Sequence, residues 1–264
     1  MKKTTILLCL PALILLTEPA AAAEARPCTA RSGPGTVALL ELYTSEGCSS
    51  CPPAERWLNS LAPGGLAPGR VVPLALHVDY WNHLGWRDPF SQQRFTARQV
   101  AYKTRADARS VYTPQMFFNG REYLGWYRRE DLARTLETVN RQAERASIRV
   151  HIAKPDHRSI DIKTDVVLRE KGAHDRMEAY LVLYENRLAT RVSAGENRGE
   201  HLQHDHVVRH LQGPLALKPD GRLTVAHRFP IGAGWKPADL GVAVFVQDRA
   251  NGEVWQTLAL ANCR

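Results

Sequence analysis

Two cysteines separated by two serines are the residues of this sequence best suited to chemistry. Cys48 and Cys51 follow an apolar run and a glycine turn, and a predicted helix comes after them. The spacing allows a disulfide between the two thiols, and a helix N-terminus favours the thiolate form that attacks disulfides. We therefore predict a thiol–disulfide centre in which Cys48 is the nucleophile and Cys51 resolves the mixed disulfide.

The cysteine pair could also have a structural or a metal-binding role and take no part in thiol–disulfide exchange. It could be a static structural disulfide, or its thiolates could bind copper or zinc together with His77, Asp79 and His83. The spacing of these three residues is not diagnostic of a metal site, since a polar strand end accounts for it equally well.

A second group of histidines lies in the C-terminal half. It consists of His201, His204, His206 and His210. A strand would point His204 and His206 the same way, which could make half of a zinc or copper site. No cysteine completes it, and we interpret the group as an exposed strand face or an interdomain contact. We thus predict neither a metal nor a cofactor.

The first 23 residues are typical of a secretory signal. Lys2 and Lys3 precede a short apolar core, and three alanines before Glu24 offer a cleavage site. We therefore predict a mature chain that begins at Glu24 and works in the periplasm or outside the cell. No later stretch reaches about 18 uninterrupted apolar residues, so we expect no membrane span.

The charge of the chain is basic but dispersed. Lys and Arg number 35 against 27 Asp and Glu, for a formal net charge of +8. No basic run is interleaved with aromatic residues, and export separates the chain from cytosolic nucleic acid. We therefore expect a solvated basic surface and no nucleic-acid partner.

Four cysteines remain after removal of the signal, and an even number outside the cytosol suggests disulfides. Pairing Cys48 with Cys51 leaves Cys28 and Cys263 near the two ends of the mature chain. We predict a structural disulfide between them, in preference to two free thiols. Closing so long a loop would stabilise the fold by roughly 5 kcal/mol in the chain-entropy estimate.

Residues 24–146 have the pattern of an α/β domain. Apolar runs and helix signals predict strands at 37–43, 71–80, 111–119 and 122–126. They also predict a turn followed by a helix at 48–61, with the cysteines at or just before the helix start, and helices at 88–105 and 131–145. Two strands joined through a helix indicate a parallel pair.

Residues 147–264 have a different pattern. Seven short alternating segments are separated by turn signals, without convincing helices. They predict strands at 148–152, 159–168, 178–184, 205–208, 222–229, 240–246 and 254–260. This pattern is typical of an all-β sandwich. The predicted fold class is thus an α/β domain followed by a smaller all-β sandwich-like domain.

The first domain resembles thioredoxin. The residues that carry the resemblance are the Cys-Ser-Ser-Cys motif at 48–51 and Thr113-Pro114 ahead of Phe-Phe-Asn-Gly at 117–120. The resemblance implies a thioredoxin-like fold with a helical insertion, in which Pro114 faces the cysteines and Thr113 offers peptide hydrogen bonds to a partner. It also implies that Glu41 accepts a proton during exchange, although its offset from Cys48 differs by one residue. Pairing with an arginine, or capping of the turn, would account for Glu41 equally well.

Longer motifs resemble one family of uncharacterised secreted bacterial proteins with a thioredoxin-like domain. They are Glu-Leu-Tyr-Thr-Ser-Glu-Gly-Cys-Ser-Ser-Cys-Pro-Pro-Ala-Glu, His-Val-Asp-Tyr-Trp, Leu-Gly-Trp-Arg-Asp-Pro-Phe, Tyr-Thr-Pro-Gln-Met and Gly-Glu-Asn-Arg-Gly. The resemblance spans nearly all of the mature chain and implies fold and location more than activity.

Two functional hypotheses follow. The first is an oxidoreductase that exchanges disulfides with thiol- or disulfide-containing proteins of the cell envelope. The alternative is a non-catalytic binding module with an inert disulfide, which presents its surface to an envelope protein or to copper or zinc. A reduction potential below about −300 mV would favour the second hypothesis, because structural disulfides lie in that range.

Overall fold

The fold is built mainly from β-strands. A computed structural model describes residues 28–61, 69–105, 108–153 and 158–261, and strands account for 43% of the residues and helices for 17%. Three α-helices lie in this part of the chain: α1 (Pro52–Asn59), α2 (Gln93–Arg105) and α3 (Arg129–Asn140).

Fourteen strands accompany these helices. The first seven are β1 (Thr29–Arg31), β2 (Ala38–Thr44), β3 (Val71–His77), β4 (Gln115–Phe118), β5 (Arg121–Glu122), β6 (Ala146–Ile152) and β7 (Ser159–Leu168). The others are β8 (Met177–Glu185), β9 (Leu188–Arg191), β10 (His201–His204), β11 (Val207–Ala216), β12 (Arg222–Pro230), β13 (Leu240–Asp248) and β14 (Val254–Ala261).

One eight-stranded mixed sheet runs through the molecule in the order β14-β13-β8-β11-β3-β2-β4-β5. The pairs β2–β3 and β3–β11 are parallel, and its other pairs are antiparallel. Strand β11 joins β3 through the pair Val207 and Ala75. This junction makes strands from both halves of the sequence parts of a single sheet.

A smaller four-stranded sheet, in the order β1-β6-β7-β12, packs against the C-terminal part of the large sheet. Its apolar residues, such as Ile148 and Ile160, share a core with Leu181, Val244 and Trp255 of the large sheet. Burial of alternate residues along β7 gives this layer one apolar and one exposed face.

Helices cover both faces of the large sheet near β2 and β3. Leu40 and Leu42 of β2 pack with Leu58 of α1 and with α3, whereas Leu39 and Tyr43 pack with α2. This division follows from the alternation of side chains along a strand. It decides which residues of β2 can approach the cysteines, which lie at the start of α1.

The predicted fold class, an α/β thioredoxin-like domain followed by a separate sandwich, is wrong. Strands β8, β11, β13 and β14 extend the large sheet beside β3, so the dominant architecture is a mixed sheet. The apolar segments 179–184 and 240–246 explain why these strands belong to the large sheet. Every residue from Leu240 to Asp248 is buried, as expected for an interior strand covered on both faces.

Several predictions fall outside the described residues. These are the signal at 1–23 and Cys263, so the Cys28–Cys263 disulfide stays a prediction. The domain boundary at 146 also stays a prediction; it coincides with the start of β6. Across the residues that the structure describes, no helix is both long and apolar enough to cross a membrane.

Candidate functional site: a capped disulfide beside a buried histidine–carboxylate cluster

Cys48 and Cys51 form a disulfide, as the sequence predicts. Their Cα atoms lie 5.5 Å apart, and the bond closes the turn between β2 and α1. Both cysteines are fully buried, whereas Ser49 and Ser50 between them are exposed. The two serines of the turn are therefore accessible to solvent, whereas the sulfur atoms are not.

The start of α1 offers the sulfurs few amide donors. Pro52 and Pro53 occupy its first two positions and have no N–H groups. The amides of Ala54 and Glu55 both donate to the carbonyl of Cys51. The hydroxyl of Ser50, whose oxygen lies 3.3 Å from Cys48 Sγ, is the nearest side-chain donor for a thiolate at Cys48.

The segment with Thr113 and Pro114 lies against this turn. The Thr113–Pro114 peptide bond is cis, and the carbonyl of Thr113 accepts a hydrogen bond of 3.5 Å from the hydroxyl of Ser50. Trp81 Nε1 donates to the hydroxyl of Thr113 at 2.8 Å. The structure thus brings Thr113, Pro114 and both cysteines together.

A loop from the C-terminal half covers the turn. It connects β9 to β10, and we call residues 192–200 the capping loop. Asn197 donates from Nδ2 to the carbonyl oxygens of Glu46 (2.8 Å) and Cys48 (3.0 Å), and the amide of Ser49 donates to Glu196 (3.0 Å). Asn197 is itself buried. The loop is therefore fastened directly to the backbone of the disulfide turn.

Gly195 permits the capping loop to lie this close. Its φ is +72°, and a Cβ added there would lie 3.1 Å from the Cβ of Trp86. The left-handed conformation and the lack of space both favour glycine. The Gly-Glu-Asn-Arg-Gly motif is thus explained by docking on the disulfide turn.

Glu41 does not join the cysteines. It lies on the face of β2 that packs against α2, where Arg98 Nε donates to Oε1 at 2.7 Å and Nη2 to Oε2 at 3.2 Å. The helix that carries Cys51 packs on the opposite face. Of the alternatives that the sequence left open for Glu41, the structure shows pairing with an arginine.

A cluster of buried polar side chains lies beside α1. His204 of β10 contacts two carboxylates: its Nδ1 is hydrogen-bonded to Glu55, and its Nε2 lies 2.9 Å from Glu46 Oε1. Thr44 donates to Glu55 at 2.5 Å, and Trp86 Nε1 donates to Glu46 at 2.8 Å. All the carboxylate and imidazole groups here are buried.

The cluster continues to His77 at the end of β3. His77 Nδ1 lies 2.7 Å from Asp88 Oδ2, and the amide of Glu46 also donates to that oxygen at 2.8 Å. The rings of His77 and His204 are 5.3 Å apart, centre to centre. The second nitrogen of His77, Nε2, is buried and has no hydrogen-bond partner.

The electrostatics of the cluster favour its ionised forms. Burial by itself would lower the pKa of His204, but the charge of Glu55 and hydrogen bonds to Glu46 and Glu55 raise it to about 10. Burial by itself would raise the pKa of Glu55, but His204 holds it below its ordinary value. Each group thus stabilises the charge of the other.

The remaining histidine and carboxylate candidates do not reach this cluster. Asp79 accepts a hydrogen bond from Thr96, and His83 contacts the carbonyl of Tyr80. His210 contacts the carbonyl of Pro230, and His201 is exposed.

Sequence reasoning placed His77 and His204 in separate groups and missed Glu46, Glu55 and Asp88. One signal in the sequence could have indicated a buried polar site. Glu55 lies three residues before Leu58, on the face of α1 that packs against the core, where a charged residue needs a partner.

Fold and site together define a mixed-sheet protein with a capped Cys-x-x-Cys disulfide. Residues 39–247 match the family described as "Protein of unknown function (DUF1223)". Because the match covers most of the chain, the chain belongs to the DUF1223 family. The prediction of an uncharacterised family is thereby confirmed. No curated protein matches the chain.

Two solved structures share the fold. A protein from Agrobacterium tumefaciens superposes with a TM-score of 0.62 at 24% identity, over 88% of this chain and 96% of the other. HBP35 of Porphyromonas gingivalis superposes with a TM-score of 0.63 at 14% identity, over 87% of this chain and 76% of the other. At these identities the likeness concerns the fold alone.

Proposed function

We propose that the protein is a thiol–disulfide oxidoreductase and that Cys48 and Cys51 are its redox pair. The observation that carries the proposal is the Cys48–Cys51 disulfide in the turn before α1, with a serine hydroxyl 3.3 Å from the Cys48 sulfur. In the disulfide form this hydroxyl donates to the carbonyl of Thr113. After reduction it can turn to donate to a thiolate at Cys48, and such a donor stabilises the thiolate relative to the thiol.

The reaction from the disulfide form proceeds in two exchanges. A client thiolate attacks Cys48 Sγ, the Cys48–Cys51 bond breaks, and Cys51 leaves as a thiolate. A second client thiolate then attacks the client sulfur of the mixed disulfide and releases Cys48. The client loses two electrons and gains a disulfide, while the pair gains two electrons and two protons. The reverse sequence reduces a client disulfide.

Access to the sulfurs requires movement of the capping loop. Both cysteines are fully buried, and Asn197 and Glu196 fasten the loop over their turn. We propose that a client protein displaces this loop and that the exposed backbone of Ser49 and Ser50 is the first surface it meets. The clients would be thiol- or disulfide-containing proteins of the cell envelope.

Trapping a mixed disulfide tests the proposal. In Cys51→Ser the free Cys48 thiolate should attack a disulfide-bonded model protein and stay attached, because no resolving cysteine remains. Cys48→Ser is the matched control and should trap none, since Cys51 is the resolving sulfur. Non-reducing electrophoresis and mass spectrometry would identify the adduct, and circular dichroism would confirm that both variants fold.

Trapping by neither variant, together with no exchange between the wild-type disulfide and a model dithiol, would overturn the proposal. Equal trapping by both variants would show that Cys48 and Cys51 do not have separate roles as attacking and resolving cysteine.

One observation favours a second candidate, the non-catalytic binding module. The complete burial of Cys48 and Cys51 is what a structural disulfide requires. A reduction potential below about −300 mV would identify such a bond, whereas redox-active pairs lie higher. Equilibration with glutathione or dithiothreitol buffers therefore separates the two candidates in one measurement.

A further inference from the structure

We propose that Glu55, His77 and His204 bind a divalent transition-metal ion, with Zn²⁺ as the ion that best fits their donor atoms. The three residues come from α1, β3 and β10, and one ligand atom from each lies within 4.8 Å of the other two. Two imidazoles and one carboxylate form a ligand set that zinc accepts, with its fourth position open.

The first argument is that Nε2 of His77 has no hydrogen-bond partner. His77 Nδ1 is engaged by Asp88, so Nε2 is the atom left to bind a ligand. His77 is only 1% exposed, and a buried polar atom without a partner costs free energy that a coordination bond would recover.

The second argument is the support behind each histidine. His77 rests on Asp88 through Nδ1, and His204 rests on Glu46 through Nε2. Each imidazole thus has one nitrogen held by a buried carboxylate and the other directed to the triad. This is the arrangement by which proteins orient histidine ligands and increase their basicity.

Charge provides the third argument. Three buried carboxylates, Glu46, Glu55 and Asp88, surround two histidines. A divalent cation would displace the proton of His204 Nδ1, and its own charge would then compensate the buried carboxylates. It would replace the hydrogen bond between His204 Nδ1 and Glu55.

A cleft reaches the edge of the site at Glu55. A cleft of about 340 Å³ lies between α1 and β10 and is lined by Glu55, Asn59, Glu200 and His201, among others. Ligands about 2.1 Å from a tetrahedral zinc ion lie roughly 3.4 Å apart. Binding would therefore draw in the most widely spaced of these atoms, which now lie within 4.8 Å of one another. It would move His204 Nδ1 and Glu55 apart, because they are now hydrogen-bonded.

Zinc binding by the purified protein tests the proposal. We expect one Zn²⁺ per chain, measured by competition with a chromophoric chelator and by elemental analysis after dialysis. The disulfide is kept oxidised, so that the thiolates of Cys48 and Cys51 do not contribute. Binding should raise the melting temperature with increasing Zn²⁺, because the ion would bind only the folded chain.

His77→Asn is the decisive variant. Asparagine can still donate to Asp88 from near the position of Nδ1, but it has no atom at the position of Nε2. We expect its affinity for Zn²⁺ to fall at least about 100-fold, and that of Asp88→Asn to fall about 10- to 100-fold. His83→Ala removes an exposed histidine outside the site and the cleft, and it should leave the affinity unchanged.

A measurement on the wild-type protein makes the result independent of how the variants fold. X-ray absorption of the zinc-loaded, oxidised protein should report two imidazole nitrogens and oxygen ligands, without sulfur. Wild-type affinity in a folded His77→Asn, loss of binding in His83→Ala, or an absorption spectrum without imidazole would each overturn the proposal. The absence of stoichiometric binding would do so as well.

Discussion

Arg98 is buried among the side chains that surround Glu41. Besides its two bonds to Glu41, its Nη2 donates to Gln247 at 3.1 Å and to the hydroxyl of Tyr102 at 3.1 Å. Its guanidinium lies 4.8 Å from the ring centre of Tyr180. Burial and the adjacent Glu41 raise the pKa of Tyr102, which donates a hydrogen bond to that carboxylate.

We predict that Arg98→Met destabilises the fold by about 3–5 kcal/mol, because it leaves Glu41 buried without its cation. Urea denaturation would measure the free energy of unfolding. Arg141→Met is the matched control: it breaks an exposed ion pair with Glu137 on α3, and such pairs contribute about 0.3–0.5 kcal/mol.

The double variant Glu41→Leu/Arg98→Met should recover part of the loss, since neither charge then remains buried alone. A single Arg98→Met variant as stable as the Arg141→Met control would show that Arg98 does not compensate Glu41.

The residues that sequence reasoning located best are those whose partners are near in the chain. Cys48 and Cys51 are three positions apart, and their spacing alone indicates a disulfide. Glu55 and His204 are 149 positions apart and meet only because β10 packs on α1. No pattern within either segment indicates that contact, so the cluster could not be predicted.

The capping loop acts as a cover that is held by a few polar contacts. Its side-chain hydrogen bonds to the disulfide turn come from Asn197 and Glu196. We expect a cover fastened in this way to open locally without unfolding of the sheets beneath it, because three hydrogen bonds join it to the disulfide turn.

We expect Asn197→Ala to accelerate reduction of the Cys48–Cys51 disulfide. Loss of two hydrogen bonds should favour the open loop by about 1–2 kcal/mol, which corresponds to roughly a 5- to 30-fold higher rate. The rate would be followed with dithiothreitol and alkylation of the released thiols.

Arg198→Ala, an exposed residue of the same loop, controls for a general effect of loop substitutions. A rate equal to that of wild type in Asn197→Ala would mean that the loop does not limit access to the sulfurs.

Elements with regular apolar patterns were predicted well. Strand β7 has the predicted bounds. Strand β2 is shifted by one residue at both ends, and β12 ends one residue later than predicted. Strands β9 and β10 were missed, because they have four residues each and pair only with each other in a polar hairpin. Helix α1 begins at Pro52, directly after the cysteines as predicted, and ends at Asn59, two residues before the predicted end.

At the scale of the whole molecule, two tight turns hold the halves of the chain against each other. The Asn119-Gly120 turn after β4 lies against the Asn251-Gly252 turn before β14. Gly120 has a φ of +82°, and a Cβ added to it would overlap the carbonyl of Gly252. The amide of Val254 also donates to the carbonyl of Asn119.

Gly120→Ala should therefore destabilise the protein more than a positive φ alone would. Gly172 is the matched control, since its φ is +79° and nothing lies within 4 Å of an added Cβ. We expect about 1–2 kcal/mol for Gly172→Ala from backbone strain. Overpacking should add about 1–3 kcal/mol in Gly120→Ala. Equal values in thermal or urea denaturation would show that the turns do not press on each other.

Attachment of the capping loop to a distant part of the chain also has a consequence for biosynthesis. Asn197 follows Cys48 by 149 residues. At translation rates of about 5–20 residues per second, the cysteines precede their cover by roughly 7–30 s. During that interval the capping loop cannot cover the thiols of the nascent chain, because the loop has not yet been synthesised. Because of the order of synthesis, both cysteines are thus uncovered for a time before the capping loop can bury them.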